Sequence, residues 1–218
     1  MKLHIILLTL AAVSCLGAER QWKLVWSDEF DKPGRPDSAK WEYETGFVRN
    51  YEAQWYQKEN AFCSNGWLVI EGRKESRPNP IYKADAKKDD WRRNRPMIEY
   101  TSACVTTHGK AAWTYGRFEV RARLQAEEGL WPAIWFLGTM RDTGPRSGWP
   151  ACGEIDLLEY YQESILANVC WMSAKHGNAW NTGKQPIGRF EAKDKNWRNA
   201  WHVWRMDWDK DWIRLYID

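Results

Sequence analysis

The sequence carries little net charge and lacks the patterns that mark several common classes of protein. Its 218 residues have a formal charge of only +3, which is too small to argue for binding to nucleic acid or to an anionic membrane surface. Beyond the N-terminal segment there is no low-complexity linker and no internal repeat. A chain of this length suffices for one sizeable domain and is short for two. These absences favour a single globular domain.

The N-terminal segment contains a long apolar run. Lys2 is followed by apolar residues over 3–13 and then by small residues. The run is too short and wrongly flanked for a membrane span. It predicts a secretory signal peptide over residues 1–18, with cleavage after Gly17 or Ala18. We therefore expect the protein to be exported, to the periplasm or the extracellular space.

Cysteine is sparse and shows no metal-binding spacing. Cys15 lies in "AAVSC", which loosely resembles a bacterial lipoprotein box and offers lipid anchoring as an alternative to free secretion. The other cysteines contain no C-x-x-C and match no zinc pattern. Disulfides are open to an exported protein, but buried thiols fit equally well because free cysteine behaves as a small hydrophobe. The residues concerned are Cys63, Cys104, Cys152 and Cys170.

Tryptophan is unusually abundant. The chain has 17 Trp and 9 Tyr, which is more than a core of this size needs. One interpretation is a tryptophan-rich core. The other is a groove of flat apolar faces with polar N–H groups, which suits a flat, hydroxyl-rich ligand such as a sugar.

Few segments have helical periodicity, and the dominant period is two. "YGRFEVRARL" (115–124) alternates apolar and polar residues and predicts a strand with one dry face. "GWLVIEGRKE" (66–75) predicts another strand. "HVWRMDW" and "DWIRLYID", on either side of Lys210, predict a terminal hairpin. Short strands at regular spacing indicate an all-β sandwich or jelly roll.

Two segments interrupt this pattern and predict long loops. Residues 75–96 are rich in proline and mixed charge, and residues 137–153 lead directly into the next motif. The first loop is either a cleft wall that contacts an anionic substrate or a solvated excursion.

"GEIDLLEYY" (153–161) sets Glu154, Asp156 and Glu159 in an apolar run. A helix at about 100° per residue would spread these acids around its axis. A regular strand would turn only Glu159 to the other face, and one extra residue in a β-bulge would return it. The two glutamates would then lie about 13 Å apart at Cα, and their side chains could lean together over Asp156.

Such leaning would bring the two carboxyl groups to about 5–6 Å, the separation of retaining glycoside hydrolysis. Crowding would raise one pKa and make that group an acid. The competing interpretations are a calcium site, which loop oxygens would serve better, and a chance acidic strand.

The motif resembles the catalytic signature of glycoside hydrolase family 16, E-[I/V]-D-x-x-E, in its bulged form. Further segments resemble the family in the same order along the chain. They are "LVWSDEFD" (24–31), "ENAFCSNGWLVIEGRKE" (59–75), residues 100–138 with "GLWPAIW", and "HVWRMDWDKDWIRLYID" (202–218).

The resemblance implies a β-jelly roll of two antiparallel sheets and a retaining endo-acting hydrolase. It implies Glu154 as nucleophile, Glu159 as general acid/base and Asp156 as the assisting carboxylate. Trp131 and Trp135 would line the subsites next to the cleaved bond. Trp113, Asn50 and Arg73 are further candidates for the substrate cleft.

Within the family the sequence most resembles bacterial laminarinases, which implies β-1,3-glucan or a mixed-linkage β-glucan as substrate. A marine galactan (agar, porphyran or carrageenan), a transglycosylase activity and a non-catalytic glycan-binding jelly roll remain alternatives. We expect no cofactor and a monomer, and a structural calcium ion stays open. The catalytic domain is predicted over residues 19–218. Because the sequence stops at Asp218 in a predicted strand, we expect that domain to lack the family's last strands.

Overall fold

A computed structural model describes residues 21–141 and 147–218. The predicted signal peptide over residues 1–18, with Cys15, lies outside the described residues. Within those residues, no helix is both long and apolar enough to cross a membrane.

The described chain is built almost entirely of short strands. The strands are β1 Glu42–Tyr43, β2 Gln54–Tyr56, β3 Ala61–Ser64, β4 Trp67–Ile70, β5 Arg73–Pro78, β6 Met97–Ser102, β7 Val105–Thr106, β8 Gly116–Ala122, β9 Ala133–Leu137, β10 Glu154–Tyr161, β11 Ser164–Ser173, β12 Gly177–Pro186, β13 His202–Trp208 and β14 Ile213–Ile217. One short helix, α1, spans Ile187–Glu191, and 3-10 turns span Lys58–Asn60, Thr139–Arg141 and Trp197–Asn199. The all-β class predicted from the period-two pattern is confirmed, as is the jelly roll that the resemblance implies.

Two antiparallel sheets face each other across the main core. One has the strand order β12-β11-β10-β9 and the other β14-β13-β8. Between them lie Leu157 and Leu158 from the first sheet and Trp204 and Met206 from the second. Burying a side chain of this size stabilises the fold by about 1.5–3 kcal/mol relative to exposure, so these residues hold the two sheets together.

The alternation of β8 explains how it joins this core. Phe118 lies opposite Met206, and Val120 lies opposite Trp204. Both side chains pack on the core cluster, while Glu119, between them, points to solvent. The predicted terminal hairpin is β13–β14, paired from Trp204–Ile217 to Trp208–Ile213.

The remaining strands form smaller sheets with the orders β2-β6-β5, β3-β4 and β1-β7. β2 and β6 are parallel, which departs from the expectation of antiparallel sheets throughout. Parallel neighbours need a long crossover connection, and here the chain between them contains β3, β4 and β5. The single strand predicted over residues 66–75 is also wrong in detail, because it divides at Glu71 and Gly72 into β4 and β5.

The predicted loop over residues 75–96 begins after β5, at residue 79. It is anchored to the loop over residues 47–52. Arg92 donates hydrogen bonds to the carbonyls of Phe47 and Val48, and Arg95 donates to those of Tyr51 and Glu52 at 2.9 and 2.8 Å. These two cations therefore hold backbone in place.

All four cysteines in the described chain are free thiols. Cys63 and Cys170 are buried, and Cys104 and Cys152 are partly buried. Of the two alternatives left open by the sequence, the structure has the buried thiols.

Candidate active site

The three acids of the GEIDLLEYY motif lie on β10, and the strand has the bulge that their spacing predicts. Asp156 pairs with Asn168 of β11 and Glu159 pairs with Leu166, so three steps on β10 face two on β11. Pairing with β9 shifts between Asp156 and Leu158. The consecutive Leu157 and Leu158 are consequently both buried in the core, and Glu159 returns to the face of Asp156.

The entry to β10 depends on a close approach of two backbone segments. Gly138 follows β9, and its N–H donates to the carbonyl of Gly153 at 3.3 Å. A Cβ atom at position 138 would lie 2.0 Å from the carbonyl oxygen of Cys152, a distance no side chain tolerates. Gly153 has φ +79°, a conformation that glycine adopts at no steric cost. The two glycines together direct the chain into Glu154.

A chain of hydrogen bonds links the three carboxyl groups. The side chains of Glu154 and Asp156 are hydrogen-bonded to each other. The Nδ2 amide of Asn168 donates to Oδ2 of Asp156 at 3.0 Å and to Oε2 of Glu159 at 2.7 Å. The indole of Trp131 donates to Oε1 of Glu159 at 2.9 Å. Neighbouring donors therefore connect the acids that the sequence analysis placed on one face of the strand.

Burial raises the pKa of all three acids. The pKa of Glu154 rises to about 7, because of burial first and the charge of Asp156 second, and a hydrogen bond from Trp149 opposes the rise. The pKa of Glu159 also rises to about 7 through burial and Asp156, against the donors Trp131 and Asn168. Burial raises the pKa of Asp156 as well. Near neutral pH this group of acids holds protons that ordinary surface carboxylates would have lost.

The two predicted subsite tryptophans lie beside these acids. Trp135 is the β9 partner of Asp156, so both side chains share one face of the sheet. The guanidinium of Arg49 lies 5.0 Å from the Trp135 ring centroid and is ion-paired with Glu44. Trp131 precedes β9 and packs on Tyr161 at 5.0 Å between ring centroids, leaving 44% of its surface exposed.

The described contacts of the other predicted cleft residues are with groups other than the three acids. Asn50 follows Arg49 and hydrogen-bonds Glu52. Trp113 packs edge-on against Trp26 and Phe118, at 5.4 and 5.7 Å.

Arg73, the remaining candidate, lies at the start of β5. Its guanidinium pairs with Glu71 at 2.6 Å and lies 3.9 Å from Glu75. The described contacts do not join Arg73, Asn50 or Trp113 to the three acids, and their role in binding stays a prediction.

Sequence reasoning missed two residues at the site. Asn168 carries no motif of its own, and only the strand register places it opposite Asp156. Trp149 stands just before the motif, and its indole hydrogen-bonds Glu154. Its ring lies 6.1 Å from that of Trp180, and both rings are about half exposed. The excess of tryptophan was the available signal for Trp149.

Within residues 21–141 and 147–218, no group of three or more His, Cys, Asp or Glu side chains is arranged to hold a metal ion. What the arrangement offers chemically is two proton-holding carboxyl groups separated by a third, with exposed indole rings on either side.

Comparison with known proteins places the chain among carbohydrate-active enzymes. The family model "Glycosyl hydrolases family 16" matches residues 47–218. The β-glucanase of Rhodothermus marinus is 37% identical, over 98% of this chain and 70% of its own length. The solved laminarinase from Rhodothermus marinus shares 35% identity with a TM-score of 0.69, covering 91% of this chain and 72% of that one.

A further similar structure comes from the endo-acting O-glycanases that prominent members of the human gut microbiota express to initiate mucin breakdown. It has a TM-score of 0.75 and 34% identity, and the alignment covers 90% of this chain and 68% of that one.

Proposed function

This chain belongs to the glycosyl hydrolases of family 16, and on that premise we propose that it is a retaining endo-β-1,3-glucanase. The observation that carries the proposal is the bulged strand β10, which brings Glu154, Asp156 and Glu159 to one face. A bulge next to an active site re-aims a side chain, and here it supplies the second carboxylate that a two-step mechanism needs.

In the first step the Glu154 carboxylate attacks the anomeric carbon of the sugar. The bond from that carbon to the bridging oxygen breaks, and Glu159 gives its proton to the leaving oxygen. In the second step Glu159 takes a proton from water, and the water oxygen displaces Glu154 from the same carbon. Both glutamates end in their starting states, and two inversions give net retention.

The raised pKa of Glu159 supports its role as the acid. A general acid works best when its pKa lies near the working pH, and Glu159 has a pKa of about 7. Glu154 must be ionised to attack, although its own pKa is also about 7. Its hydrogen bond with Asp156 gives the proton of Glu154 an acceptor, so that the attacking oxygen can be freed when substrate binds.

The described contacts of four arginines do not single out a sulfated polymer. Arg49 covers Trp135, but its charge is balanced by Glu44. In the loop that the sequence offered for an anionic substrate, Arg92 and Arg95 donate to backbone carbonyls, and Arg93 pairs with Asp90 at 3.1 Å.

The names of the relatives indicate which polymers are the best candidate substrates. The Rhodothermus marinus β-glucanase and laminarinase support β-1,3-glucan or mixed-linkage glucan. The structure with the TM-score of 0.75 is associated with mucin breakdown, so mucin-type glycans are the second candidate substrate.

The test is oligosaccharide release from laminarin, mixed-linkage glucan, agarose, carrageenan and mucin O-glycans. Glu154→Gln is compared with wild type, and Glu119→Gln, at an exposed position of β8, is the matched control. We expect oligosaccharides from laminarin for wild type and control, and at least about a thousandfold loss for Glu154→Gln, since the nucleophile carries the covalent step.

Release from mucin or a galactan instead would keep the mechanism and replace the substrate. If all three proteins bind laminarin and none of them cleaves it, the result would indicate a glycan-binding module. We also propose that residues 1–18 direct export, and that the mature protein is a monomer that is either freely secreted or lipid-anchored. Determining the mature N-terminus would test the export, and sedimentation would test the monomer.

A further inference from the structure

Asn168 lies between two of the three acids and is buried, with 4% of its surface exposed. It is carried by β11, directly opposite Asp156. One N–H of its Nδ2 reaches Asp156 at 3.0 Å and the other reaches Glu159 at 2.7 Å. A single amide group thus joins the assisting carboxylate to the acid/base carboxylate.

The bulge explains why one amide can reach both groups. In the strand register Glu159 lies opposite Leu166, not opposite Asn168. Because the bulge returns Glu159 to the face of Asp156, and Leu166 and Asn168 lie two residues apart on one face of β11, the Glu159 side chain is within reach of Asn168. The amide therefore spans the irregular part of the strand, where the ladder hydrogen bonds are interrupted.

The orientation of the amide is fixed by charge. Its Oδ1 is buried and accepts no hydrogen bond among the described residues, which is costly for a carbonyl. Rotating the amide by half a turn would set that oxygen against two carboxylates. The NH₂ group must therefore face the acids, and its two bonds outweigh the unpaired oxygen.

We infer that Asn168 is a positioning residue, whose shared amide fixes the Glu159 carboxyl group where it can protonate the leaving oxygen. The inference rests on the proposed glycosidase function. Trp131 holds Oε1 of Glu159 and Asn168 holds Oε2, so the carboxyl plane is clamped at both oxygens. Each oxygen keeps a second lone pair, which leaves room for the transferable proton.

The test uses Asn168→Leu, which keeps the branching at Cγ and removes both donors, and Asn168→Asp, which keeps the shape and replaces a donor by an acceptor. Asn181→Leu is the matched control, because Asn181 is exposed on the adjacent strand β12 opposite Val169. Thermal unfolding is recorded for each protein. If the leucine variant does not fold, the isosteric aspartate variant decides.

The first measurement needs no substrate. The carboxyl ¹³C resonance of Glu159, assigned with Glu159→Gln, is titrated in each protein. Loss of a charge-assisted hydrogen bond should raise the pKa of Glu159 by about one unit in Asn168→Leu and further in Asn168→Asp. An unchanged pKa in both folded variants would overturn the inference.

The second measurement is the pH profile of turnover on laminarin and on an aryl β-glucoside with a good leaving group. For Asn168→Leu we expect about a ten- to hundredfold loss in kcat on laminarin, little change in KM, and an alkaline limb displaced upward. The loss should be much smaller on the aryl substrate, which needs no protonation. Equal losses on both substrates would contradict positioning of the acid.

The two proposals fail separately. If wild type cleaves none of the glycans, the proposed function fails, and the carboxyl titration still decides whether Asn168 controls Glu159. If wild type is active and the titration shows no effect of position 168, only the inference about Asn168 fails.

Discussion

The groups that hold the Glu159 carboxyl group in place also help to set its pKa. Burial and the charge of Asp156 raise its pKa, and its two N–H donors lower it, with a net value of about 7. Glu154 reaches the same value through burial and the same neighbour. Because similar surroundings give similar pKa values, the two roles are not separated by proton affinity in the free enzyme. Their separation must come from where the substrate places its anomeric carbon and its leaving oxygen.

Glu159→Gln tests the acid role directly. We expect turnover of laminarin to fall by about a hundredfold or more, since general acid catalysis typically contributes about 10²–10⁴-fold. On an aryl glycoside with a good leaving group, the first step should be nearly restored, because that leaving group departs without a proton. Burst kinetics on the aryl substrate would show the glycosyl-enzyme accumulating.

An equal loss in the rate of the first, glycosylation step on natural and activated substrates would contradict the assignment of Glu159 as acid. Glu119→Gln, at an exposed position of β8, serves as the control, since removal of a surface carboxylate should leave both activities unchanged.

At the scale of the element, the single β-bulge in β10 has two consequences. The bulge places Leu157 and Leu158 together in the core and brings Glu159 to the face of Asp156. The strand is anchored at its start by the contact between Gly138 and the backbone of residues 152–153. The position of Glu154 therefore depends on a glycine that lies outside the acidic motif.

Gly138→Ala is predicted to damage both stability and activity. The added Cβ would meet the Cys152 carbonyl at 2.0 Å, and neither backbone segment can yield without moving Gly153 and Glu154. We expect a loss of about 1–3 kcal/mol in the free energy of unfolding, as for other overpacked sites, and a lower kcat.

Gly72→Ala provides the comparison. A Cβ at position 72 has no neighbour within 4 Å, so chemical denaturation should give nearly the wild-type midpoint. A Gly138→Ala variant as stable and active as Gly72→Ala would show that the close approach is not required.

At the scale of the whole molecule, the three acids of β10 and Asp207 have opposite effects on how the stability of the fold changes with pH. Glu154, Asp156 and Glu159 have raised pKa values, so the folded state binds protons more tightly than the unfolded state does. Asp207, paired with Arg117 at 2.7 Å, has a lowered pKa, so its contribution is lost as the pH falls below the usual range of aspartate.

The raised pKa values of Glu154, Asp156 and Glu159 set the direction in which stability changes near neutral pH. The stabilising contribution of Glu154 and Glu159 is complete below about pH 4.5 and is lost as the pH rises through about 7, because stability falls with pH wherever the folded state holds more protons. We therefore predict that the melting temperature decreases between pH 5 and pH 8, and that the decrease is smaller in Glu154→Gln. Thermal unfolding scans across this range measure both slopes.

The Glu119→Gln variant should keep the wild-type slope. A melting temperature that rises from pH 5 to pH 8 would contradict the raised pKa values of the acids, and one that is equally steep in Glu154→Gln would assign the effect to other groups.

The sequence by itself determined the all-β class and the bulge. Period-two alternation fixes which face of a strand is dry, and the spacing of Glu154, Asp156 and Glu159 allows one face only if the strand has an extra residue. Both arguments are local, because they depend on neighbours along the chain. The same locality explains the error over residues 66–75, where Glu71 and Gly72 interrupt an otherwise plausible strand.

The tertiary structure alone decided which hydrogen-bond donors reach the acids. Asn168 and Trp131 reach Glu159 from separate strand and loop segments, and Gly138 meets Cys152 across a loop. Such contacts depend on the register between strands, which no periodicity along one strand encodes. Burial, which raises the pKa of the acids, likewise exists only after the two sheets have packed. The sequence predicts which carboxylates meet, and packing sets how tightly they hold their protons.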